Sequence, residues 1–177
     1  MRSNPSQTPA SAFFGGSRVA DGGIQVRDTV GATANIVGRA GEFLVCAELA
    51  IAGYECFLAE GRLPYDVIAD VGGQIVRIQV KTTSGVKPCP QRKNYTPVYA
   101  FQARRVGKMQ RKGYEPGQAD LVAYVALDRR VIAFMPAEKI AQATTLRLRE
   151  FEAIYACKTG MFIEDFPLQA ALEAMDL

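Results

Sequence analysis

The residues best suited to chemistry lie between Gly61 and Thr82, in the run GRLPYDVIADVGGQIVRIQVKT. It reads as two strands joined at Gly72-Gly73, a pair of residues that accepts the positive φ values of a tight hairpin turn. Strand side chains alternate between faces, so Asp66, Ile68 and Asp70 share one side, and Ile75, Arg77, Gln79 and Lys81 share one side of the next strand. A two-residue loop sets Ile75 opposite Asp70, Arg77 opposite Ile68 and Gln79 opposite Asp66. Lys81 follows one pleat later. An acid, an amide and an ammonium then converge on one side of a ribbon whose other side is apolar. A slip of one residue would dismantle the arrangement.

The chain has no histidine. That excludes Ser-His-Asp and Cys-His triads and His-ligated zinc hydrolases. Hydrolysis here would have to rest on carboxylates, lysine and a hard metal held by oxygen. Four cysteines, Cys46, Cys56, Cys89 and Cys157, contain no C-x-x-C pair, which argues against a zinc ribbon or a disulfide scaffold. Cys46 lies in an apolar helical run and reads as a small buried thiol.

Net charge is only +3, but its distribution is uneven. Lys87, Arg92, Lys93, Arg104, Arg105, Lys108, Arg111 and Lys112 follow one another without an intervening Asp or Glu. Tyr95, Tyr99 and Phe101 are interleaved with them, and Tyr114 lies just beyond. Clustered cations with aromatics are the footprint of a phosphate-backbone binder; a solvated basic loop is the plain alternative.

The elements that must position these groups follow from periodicity. Residues 1–34 are polar, with little pattern, and predict a flexible tail before a single domain over 35–177. Gly38 to Ala52 predicts a helix stopped by Gly53, apolar almost all round and therefore largely buried. Glu42 and Glu48 interrupt it. Tyr54 to Ala59 predicts a strand ahead of the hairpin. Beyond it come a loop, a strand over Tyr95 to Arg104, and a basic turn or short helix over Arg105 to Gly113. Ala119 to Leu127 is a near-continuous apolar run and predicts a central buried strand. Val131 to Met135 predicts its neighbour, and Pro136 opens a short helix through Ala143. Thr144 to Arg149 alternates as an edge strand, and Phe166 to Met175 is an amphipathic helix. Glu48, Glu60, Asp70 and Asp120 read as structural acids. No run is long and apolar enough for a membrane span, and the N-terminus lacks a signal-type apolar core, so a cytoplasmic protein is expected.

The text G-x-x-G-E-x-x-V-x-x-x-L in the first helix, then P-Y-D, then I-Q-V-K-T, resembles the PD-(D/E)xK nuclease superfamily. It looks most similar to the branch with Gln at the second acidic position, as in a group I intron homing endonuclease, and is similar to archaeal Holliday junction resolvases. The resemblance covers about Asn35 to Ala143. It implies an α/β, restriction-endonuclease-like α-β-β-β-α-β core with a mixed central sheet and flanking helices. It implies Asp66 as metal ligand, Gln79 at the second ligand position, Lys81 as the catalytic lysine and Glu42 as the helix acid. Mg²⁺, with Mn²⁺ as substitute, would be held by Asp66, Glu42, Gln79 and the Val80 carbonyl, and the basic segment would hold DNA by its phosphates. The expected activity is a metal-dependent DNA endonuclease, in a homo-oligomer joined through the C-terminal helix. A nuclease fold that binds DNA without cutting, because Gln79 removes a charge, is one alternative; a protein-interaction scaffold is another.

Overall fold

A computed structural model gives the structure of residues 34–86, 96–101, 105–106, 111–112, 117–140, 144–151 and 160–177. The expected tail lies outside these residues except for Ala34, which is already helical. Helix α1 spans Ala34–Ile51. Strands β1 (Glu55–Leu58), β2 (Val67–Val71), β3 (Gln74–Thr83), β7 (Leu121–Ala126) and β8 (Val131–Pro136) form a sheet in the order β1-β2-β3-β7-β8. All neighbours are antiparallel except β3 and β7, which run parallel. Strands β4 (Tyr99–Phe101), β9 (Thr144–Arg147) and β10 (Met161–Phe162) form a second sheet in the order β10-β9-β4. Strands β5 (Arg105–Val106) and β6 (Arg111–Lys112) pair as a small ribbon, and helix α2 spans Leu168–Glu173. The described part of the crossover from β3 to β7 thus consists of strands; the helix expected there is not among the described residues.

The hairpin has the register that its two glycines dictate. Val67 faces Ile78, Ile68 faces Arg77, Asp70 faces Ile75 and Val71 faces Gln74. Gly72 and Gly73 have φ of 61° and 89°, a pairing that costs glycine nothing and any β-branched residue a great deal.

Strand β7 is buried along its whole length because both its faces are covered. Leu121, Ala123 and Val125 pack with Val45 and Leu49 of α1 and with Leu168, Ala171 and Leu172 of α2. Val122, Tyr124 and Ala126 pack with Tyr99, Phe101, Leu146, Phe151 and Ile163 beneath the second sheet. The result is a central sheet between a helical layer and a smaller sheet. Helix α2 gives its apolar side to its own core, so that side is not available to a second copy.

Four expectations need correction. Helix α1 buries only Gly41, Val45 and Leu49, and Ile36, Phe43 and Ile51 are 59%, 57% and 82% exposed on its outer side. Apolar content all round a helix does not say how many sides the fold covers. The segment over Thr144 to Arg149 is not an edge: β9 is flanked by β4 and β10, partners drawn from distant parts of the chain. Of the basic stretch from Arg105, expected as a turn or short helix, the described residues form an antiparallel ribbon, with Arg105 opposite Lys112. Pro136 ends β8 and leads only into a 3-10 turn over Ala137–Lys139; residues 141–143 of the expected helix lie outside the described part.

Helix α1 ends in a left-handed glycine. The Tyr54 N–H reaches the Leu49 carbonyl at 3.0 Å and the Gly53 N–H reaches that of Ala50 at 3.1 Å, with Gly53 at φ 90°. Near its other end α1 touches β3. A Cβ on Gly41 would lie 1.9 Å from the Thr82 hydroxyl oxygen and 2.9 Å from its Cβ, so only glycine lets the helix approach this closely. An exposed Gly→Ala exchange in a helix gains about 1 kcal/mol, while overpacking costs about 1–3 kcal/mol. Gly41→Ala is therefore expected to lower stability by up to about 2 kcal/mol in urea denaturation. Gly38→Ala, whose Cβ meets nothing within 4 Å, is expected to raise it by up to about 1 kcal/mol.

The parallel register of β3 and β7 has its own clamp. Asp120 accepts Arg77 Nη2 at 2.8 Å on Oδ1, and Arg77 Nε at 2.9 Å and the Arg77 backbone N–H at 2.8 Å on Oδ2. Its own N–H returns to the Arg77 carbonyl at 2.8 Å. Burial pushes the Asp120 carboxyl up, but the Arg77 hydrogen bonds and charge more than offset it and hold the pKa below its ordinary value. Asp120→Ala is expected to cost about 2–4 kcal/mol at pH 7, since three charge-assisted bonds vanish. A depressed native pKa stabilises above the unfolded value and ceases to do so as pH falls through the native one. The gap between variant and parent should accordingly narrow below about pH 4.

Candidate active site

Strand β2 begins at Val67, and its ladder with β3 ends where Val67 faces Ile78. Just before it, Asp66 still donates its backbone N–H to the Ile78 carbonyl at 2.9 Å. The next outward-facing group on that edge of β3 is the Val80 N–H, with no β2 residue to meet it. The Asp66 carboxylate takes that place: Oδ2 accepts the Val80 N–H at 2.7 Å. The same oxygen accepts Gln79 Nε2. Gln79 is only 7% exposed, the single buried polar residue among those described. Its NH2 group also lies 3.4 Å from the Val80 carbonyl. A side-chain amide thus bridges a carboxylate and a carbonyl, and does for these two oxygens what a bound cation would do.

Lys81 follows on the same strand, paired in register with Tyr124 of β7, as Gln79 is with Val122. Gln79 and Lys81 therefore lie on the side of the sheet covered by the smaller sheet. Val80 and Thr82 face α1. The residues expected to converge from the hairpin, Asp66, Gln79 and Val80, are brought into one hydrogen-bonded cluster, with Lys81 next along the chain.

Glu42 comes from the helical layer. It is adjacent to Gly41, and hence to the contact with Thr82. Its carboxylate accepts Arg39 Nη1 at 2.9 Å, and it is 18% exposed against 46% for Arg39. Arg39 also lies over the Phe43 ring, 5.3 Å from its centre. The Arg39–Glu42 spacing of three residues on a helix signals this pair in the sequence.

Among the described residues, no three His, Cys, Asp or Glu side chains meet in a metal-binding group. A metal held here would rest on Asp66, a second acid such as Glu42, the Gln79 oxygen and the Val80 carbonyl. Those are hard oxygen donors of the kind Mg²⁺ takes, so the donor set fits such an ion. Gln79 now presents nitrogen to Asp66, and must turn its amide over to present oxygen.

The basic segment is only partly described. Lys87, Arg92, Lys93, Arg104 and Lys108 lie outside the described residues; Arg105, Arg111 and Lys112 belong to the β5–β6 ribbon. Two of the interleaved aromatics are not available to a nucleic acid. Tyr99 and Phe101 are 0% and 4% exposed, because β4 turns both into the core beneath the second sheet. The Tyr99 hydroxyl lies 3.2 Å from Asp128 Oδ2, and burial pushes both the phenol and that carboxyl up.

Arg77 and Asp120, 43 residues apart in sequence, were not legible as a pair. Arg77 sits one pleat from Gln79 on the same face, and the carboxylate it takes is Asp120, not Asp66.

Comparison with known proteins agrees with this architecture. The chain superposes on the bacterial homing endonuclease I-Ssp6803I with a TM-score of 0.60 and 15% sequence identity, over 81% of this chain and 95% of that one. At that identity the likeness is one of fold, and the fold is restriction-endonuclease-like. No curated protein matches the sequence. The family model of PD-(D/E)XK endonucleases matches residues 34–159, a span that runs from the first turn of α1 past Glu42, Asp66, Gln79 and Lys81. The chain belongs to the PD-(D/E)XK endonuclease family.

Proposed function

We propose that this protein is a Mg²⁺-dependent DNA endonuclease that hydrolyses phosphodiester bonds at Asp66, Gln79 and Lys81, with Glu42 completing the site. The observation that carries this reading is the buried Gln79 amide, bonded to both Asp66 and Val80 at the open edge of β3. A carboxylate and an amide gathered at a strand edge, with a lysine two residues further on, put oxygen donors and an ammonium close together, as metal-assisted hydrolysis requires.

Asp66, Glu42, the Gln79 oxygen and the Val80 carbonyl would hold the cation, Mg²⁺ or Mn²⁺. Such an ion would supply Lewis-acid charge at the phosphoryl oxygens and lower the pKa of the attacking water. Lys81 orients the attacking water and offsets charge on the phosphate. The cations from Lys87 to Lys112 hold the backbone without reading bases. One such site cuts one strand, so a double-strand break needs two copies of the chain. Gln79 favours a second reading as well: with its amide satisfied by Asp66 and one charge fewer than a two-carboxylate site, the fold can grip DNA and leave it intact.

The deciding experiment incubates purified protein with supercoiled, linear and four-way-junction DNA in Mg²⁺, Mn²⁺ or EDTA. Metal-dependent nicking or cleavage is expected. Tight, salt-sensitive binding without cleavage in either metal would establish the silent binder. No binding at low salt would leave only the scaffold.

A further inference from the structure

One pair of reactive groups takes no part in the site. Cys46 lies on α1 and Cys56 on β1, and both are free thiols, partly exposed. The left-handed turn at Gly53 reverses the chain, so β1 runs back along the helix it follows. The Cys56 thiol consequently donates to the Cys46 carbonyl oxygen at 3.4 Å, which holds the Cys56 sulfur beside the residue that carries the other thiol. Both pack against the core formed by α1, the main sheet and α2. Two sulfurs held together by a short turn have a high effective concentration for each other. The other face of the question is plain packing, for which two small apolar side chains would serve equally.

We propose that Cys46 and Cys56 form a hydroperoxide-responsive dithiol, closing to a reversible disulfide that ties α1 to the edge strand β1. The Cys56 sulfur attacks the peroxide O–O bond and takes up OH, and the remaining oxygen leaves as water or, from an organic peroxide, as alcohol. The Cys46 sulfur then attacks the Cys56 sulfur. The S–S bond forms, the S–O bond breaks, and the departing hydroxide leaves as water with the Cys46 proton. Two thiols are oxidised by two electrons and one hydroperoxide is reduced. Burial first, and then the neighbouring Cys56, push the Cys46 thiol up to about 12. Cys46 therefore gives up its proton only as it attacks, to the departing hydroxide. A thiol reductant reverses the bridge by exchange.

The bridge has a defined structural consequence. Cys46 lies one turn after Glu42 on the same stripe of α1, so closure fixes the turn carrying Glu42 to β1. It also restricts the unfolded chain, which raises the thermal midpoint.

The test uses the full chain, fully reduced and then exposed to hydrogen peroxide. Remaining thiols are alkylated and the digest is mapped without reductant. The expected product is one linked peptide pair joining Cys46 to Cys56, lighter by two hydrogens, with the loss of two alkylatable thiols and a higher melting midpoint. Dithiothreitol should restore both thiols. The link should persist in Cys89→Ser and Cys157→Ser and vanish in Cys56→Ser, where Cys46 should stay alkylatable. Independent sulfinic or sulfonic acids at Cys46 and Cys56, or links from either to Cys89 or Cys157 in the parent chain, would overturn the proposal. The parent chain alone decides the matter if a variant fails to fold.

Discussion

Replacing Asp66 with asparagine is expected to lower the rate of DNA cleavage by at least about 10³-fold, the scale set by losing several kcal/mol of metal-derived charge stabilisation. Stability should change by no more than about 1 kcal/mol, because the hydrogen-bond geometry can be kept. Asp66 Oδ2 accepts the Val80 N–H at 2.7 Å and also accepts Gln79 Nε2. An asparagine oxygen in the same position serves both donors. What disappears is the negative charge, and in the hairpin cluster there is no second carboxylate to replace it. Binding of Mn²⁺, followed by calorimetry on the free protein, should weaken in step with cleavage. Asp66→Ala differs in kind. It strands the Val80 N–H and the buried Gln79 amide, at about 1–3 kcal/mol for each group left unsatisfied. A variant that binds metal normally and cleaves within tenfold of the parent would remove Asp66 from the site.

The hairpin was legible from sequence because its turn residues and its alternation agree. Gly72-Gly73 admits one tight loop, and that loop sets Val67 across from Ile78 and so brings Gln79 to Asp66. The central place of β7 followed from an apolar run with no solvent face. The packing of α1 was less legible. Its composition says apolar on every side, yet Ile36, Phe43 and Ile51 stay exposed, since only the layer of strands beneath decides which side is covered. Long-range partners were not legible at all. The Arg77–Asp120 clamp joins β3 to the start of β7 across the whole crossover, and β9 gains neighbours from residues near 100 and near 161.

In the site itself, residue types and strand faces could be read in advance, while hydrogen-bond roles could not. Gln79 was expected to offer its oxygen to a cation. The structure has its nitrogen donating to Asp66 and Val80, a choice that depends on what else lies in the cluster. Glu42 was expected to look toward the same cation, and it is held by Arg39. Tyr99 and Phe101 followed the basic residues in sequence, but β4 places them in the core. Strand alternation alone does not say which side of a short strand meets the rest of the protein.

Lys81→Ala separates chemistry from binding in a way that Asp66→Asn cannot. Cleavage is expected to fall by about 10²–10⁴-fold, the range for removing one positioned charge or proton-handling group at a phosphoryl centre. Metal affinity should stay at the parent value or rise, since an ammonium beside a cation site repels the ion. DNA affinity should change little, because the other cations of the chain supply most of the phosphate contact. The fold should tolerate the change: the Lys81 backbone is held opposite Tyr124 in the β3–β7 ladder, and alanine keeps that pairing. Lys81→Arg should not restore the rate, as a planar guanidinium does not reproduce a compact ammonium at the end of a flexible stem. Single-turnover cleavage measured with saturating protein isolates the chemical step. If Lys81→Ala cleaves at the parent rate while Asp66→Asn does not, the lysine has only a structural place in the strand and the ammonium that stabilises the phosphate lies elsewhere in the chain.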